Sequence, residues 1–217
     1  MLNDIITQEA KDTAQSCIIC LHGLGASAHD FTHITEIFNF PSTRYIFPNA
    51  PIRPVTLNLG IPAPAWYDVL GVDRNATQDR EGIEASSQWI THLIEQEIEQ
   101  GVPAHKIVLA GFSQGAAMAL HVGVRFREPL GAIVALSGYL PLGDVLAIEK
   151  NALNHAVPLF IAHGDFDTVL PLSFAELSVA TLEQQGFKPI FNRYPIAHTV
   201  SDQEMMDVRD FLMHIVY

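Results

Sequence analysis

Short apolar runs alternate along this chain with stretches whose hydrophobic residues recur at helical spacing. Runs rich in β-branched and aromatic residues lie at 17–21, 43–47, 106–110, 131–136, 159–162 and 190–194. Between them, residues 81–100 carry Ile83, Ile90, Leu93, Ile94 and Ile98 on one helical face, with Gly101 as a stop. A second helix is expected to open at Ser173, with Glu176 completing a capping box, and to end at Gly186. The last opens at Ser201 with Glu204 and presents Met205, Val208, Phe211, Leu212 and Ile215 at the same spacing. Such stripes are core-facing surfaces. Strands alternating with helices predict an α/β fold, a mostly parallel central sheet with helices on both faces.

Two stretches depart from that rhythm. Residues 48–67 carry Pro48, Pro51, Pro54, Pro62 and Pro64 without a clean period, and read as a long ordered excursion between strands. A loop of that length inside a compact domain is usually functional. Residues 107–124 lack any Asp, Glu, Lys or Arg, long enough by count for a membrane span. Their centre holds Gly111, Ser113, Gln114 and Gly115, so two short buried elements joined by a sharp turn fit better. No internal repeat or linker divides the chain, and residues 1–217 are expected to form one domain.

Composition narrows the function. Hydrophobic residues make up 48% and charged residues 17%, against roughly 25% charged in an average globular protein, which suits a sheet covered on both faces. A formal net charge of −12 with no basic run argues against nucleic acid and against an anionic membrane surface. Cys17 and Cys20 have C-x-x-C spacing but sit in one apolar run, where residues three apart point to opposite faces and cannot pair. The first residues, Met1-Leu2-Asn3-Asp4, lack the charged and apolar regions of a signal peptide, so a cytoplasmic location is expected.

The sharpest chemical signal is Gly111-Phe112-Ser113-Gln114-Gly115. An apolar strand precedes it and a helix start follows, the context that a G-x-S-x-G nucleophile elbow requires. A serine hydroxyl needs a base, and the base needs an orienting carboxylate, in the order Ser, acid, His in this fold. Downstream, residues 159–162 lead into His163-Gly164-Asp165-Phe166-Asp167, and residues 190–194 lead into Pro195-Ile196-Ala197-His198. Ser113, either Asp165 or Asp167, and His198 satisfy the order. His163, His121 and His214 read as structural, and His29 with His33 as a metal pair lacks supporting ligands. An oxyanion hole would draw one backbone N–H from Gln114 and one from Leu21-His22-Gly23-Leu24-Gly25. Leu59, Ile61, Trp66, Val169 and Leu170 are candidates for an apolar acyl groove.

With these segments, the chain resembles the small carboxylesterases that include the acyl-protein thioesterases and lysophospholipase-type enzymes. Besides the motifs above, the resemblance is carried by Pro48-Asn49-Ala50-Pro51-Ile52-Arg53-Pro54-Val55-Thr56-Leu57-Asn58 and by Ala65-Trp66-Tyr67-Asp68. It implies a single α/β-hydrolase domain with no large lid and no cofactor. It also implies Ser113, Asp167 and His198 as the triad, with Leu24 and Gln114 as backbone oxyanion donors. The expected substrates are acyl esters or thioesters, lysophospholipid or S-acylated protein among them, with a second copy of the chain as a candidate partner. Thr168, Ala197 and Ala26 depart from the residues usual at those positions in the family.

Overall fold

The computed structural model describes residues 4–71, 73 and 76–216. Seven strands form the main sheet in the order β1-β3-β2-β6-β7-β8-β9. They are β1 (Ile5–Gln8), β2 (Ser16–Leu21), β3 (Thr43–Pro48), β6 (Ile107–Phe112), β7 (Ala132–Leu136), β8 (Leu159–Gly164) and β9 (Pro189–Tyr194). Every neighbouring pair is parallel except β1 on β3. A separate antiparallel hairpin joins β4 (Ile52–Val55) to β5 (Ile61–Pro64). The helices are α1 (Ile34–Phe38), α2 (Arg80–Glu99), α3 (Gln114–Gly123), α4 (Leu146–Glu149), α5 (Leu172–Gln184) and α6 (Asp202–Val216). Helices cover both faces of this mostly parallel sheet, the α/β architecture expected, with no separate lid among the described residues.

The central strands are apolar on both faces because both faces are covered. Cys17, Ile19 and Leu21 pack with Ile83 and Ile90 of α2 and Met118 of α3. Ile18 and Cys20 turn the other way, toward Ile34 and Phe38 of α1 and Val208 and Leu212 of α6. The two cysteines therefore lie on opposite faces, both buried and free. Burial pushes the Cys20 thiol up to about 12, so it stays protonated and unreactive. Among the described residues, no helix is long and apolar enough to cross a membrane.

All six expected strands are present, and two features differ from expectation. The proline-rich excursion contains the β4–β5 hairpin, with Pro54 opposite Pro62. Prolines cannot donate to a ladder, so such strands pair only briefly and away from the main sheet. Helix α5 starts two residues early, at Leu172, with Pro171 rather than Ser173 at its N-cap. Proline brings a preset φ and lacks the N–H that a helix start would leave unpaired. Glu176 points instead toward Arg193, 4.0 Å away. The capping box of α6 is made as expected: Glu204 N–H donates to Ser201 Oγ at 3.2 Å, and Ser201 N–H to Glu204 Oε2 at 3.4 Å.

Candidate active site

Ser113 stands between β6 and α3 with φ 54° and ψ −117°, a conformation that costs a non-glycine residue on the order of 1–3 kcal/mol. Close packing holds it there. A Cβ on Gly115 would lie 2.1 Å from the Leu21 carbonyl oxygen, and one on Gly111 would lie 2.4 Å from the Gly115 backbone. Only glycine lets the start of α3 press this closely onto the ends of β2 and β6. The Ser113 N–H is anchored to the Leu136 carbonyl of β7 at 2.8 Å. The hydroxyl is thereby lifted clear of the sheet at the positive end of a helix.

His198 and Asp167 arrive on two loops fastened to each other. Asp165 N–H donates to the Tyr194 carbonyl at 2.8 Å, and Phe166 N–H to the Ile196 carbonyl at 3.0 Å. A Cβ on Gly164 would strike the Ala197 carbonyl at 2.4 Å, so glycine is required where the loops cross. His198 Nε2 lies 2.9 Å from Ser113 Oγ, and His198 Nδ1 lies 2.6 Å from Asp167 Oδ2. Asp167 Oδ1 accepts the backbone N–H groups of Val169 and Leu170 at 2.9 and 2.8 Å. Phe112 packs against the histidine ring at a centroid distance of 4.9 Å. Asp165, the other carboxylate of the motif, turns outward and pairs with Arg193 at 2.7 Å.

The glycine loop after β2 faces this serine. Gly23 sits close enough that a Cβ would lie 3.3 Å from Ser113 Cβ. Leu24, Ser113 and Gln114 all border one cavity. The N–H of Gln114, first in α3, has no intrahelical acceptor, as at every helix start. The Gln114 side chain is clamped to the strap after β5, accepting from Trp66 N–H at 2.9 Å and donating to the Tyr67 carbonyl at 2.8 Å. A donor pair flanking a serine hydroxyl can hold the oxyanion of a tetrahedral intermediate.

The cavity encloses about 810 Å³. Of the five groove candidates, Val169 and Leu170 border it. Leu59, Ile61 and Trp66 do not. Leu59 is 92% exposed near the tip of the β4–β5 hairpin and Ile61 is exposed beside it, both outside the cavity. Trp66 is 0% exposed. It stacks on Trp89 of α2 at 5.7 Å and donates from Nε1 to the His22 carbonyl at 2.8 Å, filling space beneath the glycine loop after β2 instead of lining the cavity. The walls come largely from residues that sequence periodicity did not single out: Leu57, Tyr67, Tyr139, Leu140, Leu142 and Phe174. Most stand on irregular loops, where no period marks them. Tyr67 and Tyr139 share a hydroxyl–hydroxyl bond of 2.9 Å, and burial raises both phenols above their ordinary range.

The other histidines singled out in the sequence lie away from Ser113 Oγ or behind the carboxylate. His163 is buried behind Asp167, its Nε2 donating to the Leu170 carbonyl at 2.8 Å and lying 3.3 Å from Asp167 Oδ2. His121 is buried in α3, and desolvation lowers it to about 4. His29 and His33 stand in the short turns before α1; among the described residues no cluster of three or more His, Cys, Asp or Glu could hold a metal.

The chain is similar to several known proteins. A family model described as phospholipase/carboxylesterase matches residues 2–216. An acyl-protein thioesterase 1 of Yarrowia lipolytica is 36% identical over 211 residues, 94% of this chain and 93% of that protein. One of Neurospora crassa is 34% identical over 96% of this chain and 89% of its own length. The crystal structure of Zea mays acyl-protein thioesterase 2 superposes with a TM-score of 0.89 at 29% identity, covering 99% of this chain and 100% of that one.

Proposed function

The chain belongs to the phospholipase/carboxylesterase family, and from that premise we propose that Ser113, His198 and Asp167 are its catalytic triad, with Leu24 and Gln114 supplying the oxyanion hole. The protein is a serine hydrolase acting on acyl esters and thioesters. The observation that carries the residue assignment is the unbroken chain of hydrogen bonds from Ser113 Oγ through His198 to Asp167, opening on an 810 Å³ cavity.

In the first half-reaction Ser113 Oγ attacks the acyl carbonyl while its proton passes to His198 Nε2. The C=O electrons move onto oxygen, and the N–H groups of Leu24 and Gln114 hold that oxyanion. Collapse breaks the bond to the alcohol or thiol, which takes the proton from His198 and leaves an acyl-serine. Water then attacks the acyl carbon, gives its proton to His198, and a second collapse returns that proton to Ser113 Oγ and releases the carboxylic acid. Asp167 holds the imidazole in the tautomer with hydrogen on Nδ1 and stabilises the imidazolium formed in each half.

The acyl chain occupies the cavity beside Leu140, Val169 and Phe174, and the leaving group faces solvent past Leu24. An open mouth of this kind suits a bulky leaving group, which supports S-acylated protein as a substrate alongside smaller acyl esters. The relatives named acyl-protein thioesterase support the same reading. A cytoplasmic location and a single domain over residues 1–217 complete it; the continuous seven-stranded sheet supports the latter.

Ser113→Ala should abolish hydrolysis of a fatty-acyl thioester and of the matching ester together, and should remove labelling by a fluorophosphonate. Turnover retained in the folded variant would overturn the assignment.

A further inference from the structure

A proposed oxyanion donor, the N–H of Leu24, belongs to the Gly23–Leu24 peptide unit. In a trans peptide the carbonyl and the N–H point in opposite directions, so whatever holds the one aims the other. All described peptide bonds here are trans. Two donors hold the Gly23 carbonyl: His22 Nδ1, 2.7 Å away on the ring of the preceding residue, and the Ala26 N–H across the turn at a longer 3.2 Å.

The other ring nitrogen settles which carries the hydrogen. Ala50 N–H donates to His22 Nε2 at 2.9 Å, so Nε2 is an acceptor and the hydrogen is on Nδ1, where it donates to Gly23. The imidazole has no room to turn. His22 is 1% exposed, its ring packs against the Trp66 indole at 5.3 Å, and its backbone carbonyl accepts from Trp66 Nε1. Desolvation lowers the His22 pKa, which keeps Nε2 unprotonated and able to accept from Ala50. One residue further on, Gly25 N–H is tied to the Pro64 carbonyl at 2.8 Å, so the following Leu24–Gly25 peptide unit is fixed as well. The Leu24 N–H between them has no acceptor among the described residues.

We propose that His22 is a positioning residue for the oxyanion hole: its Nδ1–H holds the Gly23 carbonyl so that the Leu24 N–H of the same peptide unit faces the reacting carbonyl at Ser113. The inference rests on the reading of Leu24 as an oxyanion donor. It assigns a catalytic consequence to a buried histidine that touches neither substrate nor triad. It also explains why the strap bearing Trp66 is tied to both sides of the hole, to His22 through Nε1 and to Gln114 through N–H.

Two substitutions separate the two ring nitrogens. His22→Asn keeps an N–H donor near Nδ1 and loses the acceptor at Nε2, whereas His22→Gln keeps an acceptor near Nε2 and loses the donor. Turnover of a fatty-acyl thioester and inhibition by an alkyl boronic acid, which forms a tetrahedral adduct on serine, would be measured for both variants. His22→Gln should lose roughly ten- to hundredfold in kcat with KM within about twofold, while His22→Asn recovers to within about threefold of the parent. Boronic acid affinity should fall in step with kcat. Equal losses in the two variants, or no loss in His22→Gln, would overturn the proposal. Imidazole 15N shifts of the unsubstituted protein give a check that does not depend on how the variants fold: hydrogen on Nδ1 supports it, and hydrogen on Nε2 overturns it. A boronic acid that binds the parent no more tightly than Ser113→Ala would instead overturn the reading of Ser113 on which this inference rests.

Discussion

Asp167 Oδ2 stands 2.6 Å from His198 Nδ1, and no part of that carboxylate is left to water. Its Oδ1 is taken by the Val169 and Leu170 N–H groups, and His163 closes the far side of Oδ2 at 3.3 Å. The carboxylate is thus fixed from the backbone outward, and the imidazole inherits its orientation. With Oδ2 accepting from Nδ1–H, Nε2 carries the lone pair that faces Ser113 Oγ.

Asp167→Asn should therefore fail for a specific reason. The two backbone donors demand an oxygen at the Oδ1 position, so the amide must turn its NH₂ toward His198. That forces hydrogen off Nδ1 and onto Nε2, where it can no longer accept the serine proton. We expect kcat to fall roughly 10⁴-fold with the fold intact. Asp165→Asn breaks only a part-exposed pair with Arg193 and should stay within about threefold, since such pairs contribute about 0–1 kcal/mol. Steady-state kinetics on one thioester substrate checks both, and a reversed pattern would move the acid to Asp165.

If the cavity beside Leu140 and Phe174 receives the acyl chain, each methylene buried there should contribute about 0.8 kcal/mol, a gain of up to about fourfold in kcat/KM per carbon. The gain should end when the chain outgrows the space. A series of p-nitrophenyl esters from acetate to laurate would trace that rise and its limit. A profile flat from the first member would detach the cavity from the acyl group.

The strands at the centre of the sheet and the order serine, acid, histidine were legible because both follow from local rules. A strand buried on both faces must be a continuous apolar run, and an elbow needs its glycines. What stayed hidden depended on distant contacts. Strand β1 is a short, half-exposed edge that pairs with β3, so it carries no strong pattern. Trp66 could be placed near the site from its sequence neighbours, but only the fold shows its indole pointing beneath the glycine loop after β2, toward the His22 carbonyl. The cavity walls at Tyr139 and Leu142 lie on a loop after β7, with Leu142 in a left-handed conformation that no hydrophobic period encodes. The choice between Asp165 and Asp167 rests on which way one short loop turns, and residue spacing alone left it open.

The elbow's glycines should differ sharply from those of ordinary turns. In Gly115→Ala the new methyl would meet the Leu21 carbonyl at 2.1 Å, with backbone on both sides and nothing flexible to give way. We expect a loss of at least about 3 kcal/mol, or failure to fold. Gly25 has φ +74°, and a Cβ there would find no heavy atom within 4 Å, so Gly25→Ala should cost only the left-handed backbone strain, about 1–2 kcal/mol. Urea denaturation midpoints of the two variants would test the ordering. Equal losses would mean that the approach of α3 to β2 is looser than the packing indicates.

Glu204 links stability to pH. It is fully buried at the start of α6, with Oε2 accepting from Ser201 N–H and Oε1 without a partner. Desolvation, reinforced by the nearby Asp207, raises its carboxyl from 4.5 to about 7, against the opposing Ser201 hydrogen bond. The folded state therefore prefers the protonated acid. Its contribution is fully present below the unfolded value near 4.5 and is lost as pH rises through about 7, because the unfolded chain releases the proton first. A shift of that size corresponds to about 3 kcal/mol or slightly more. Glu204→Gln keeps a capping side chain and removes the titration. The variant should gain on the parent as pH rises, with its Tm advantage several degrees larger at pH 8 than at pH 5. Thermal unfolding of both proteins across that range measures the difference directly. A Tm difference independent of pH would show that Glu204 ionises as readily in the folded chain as in the unfolded one.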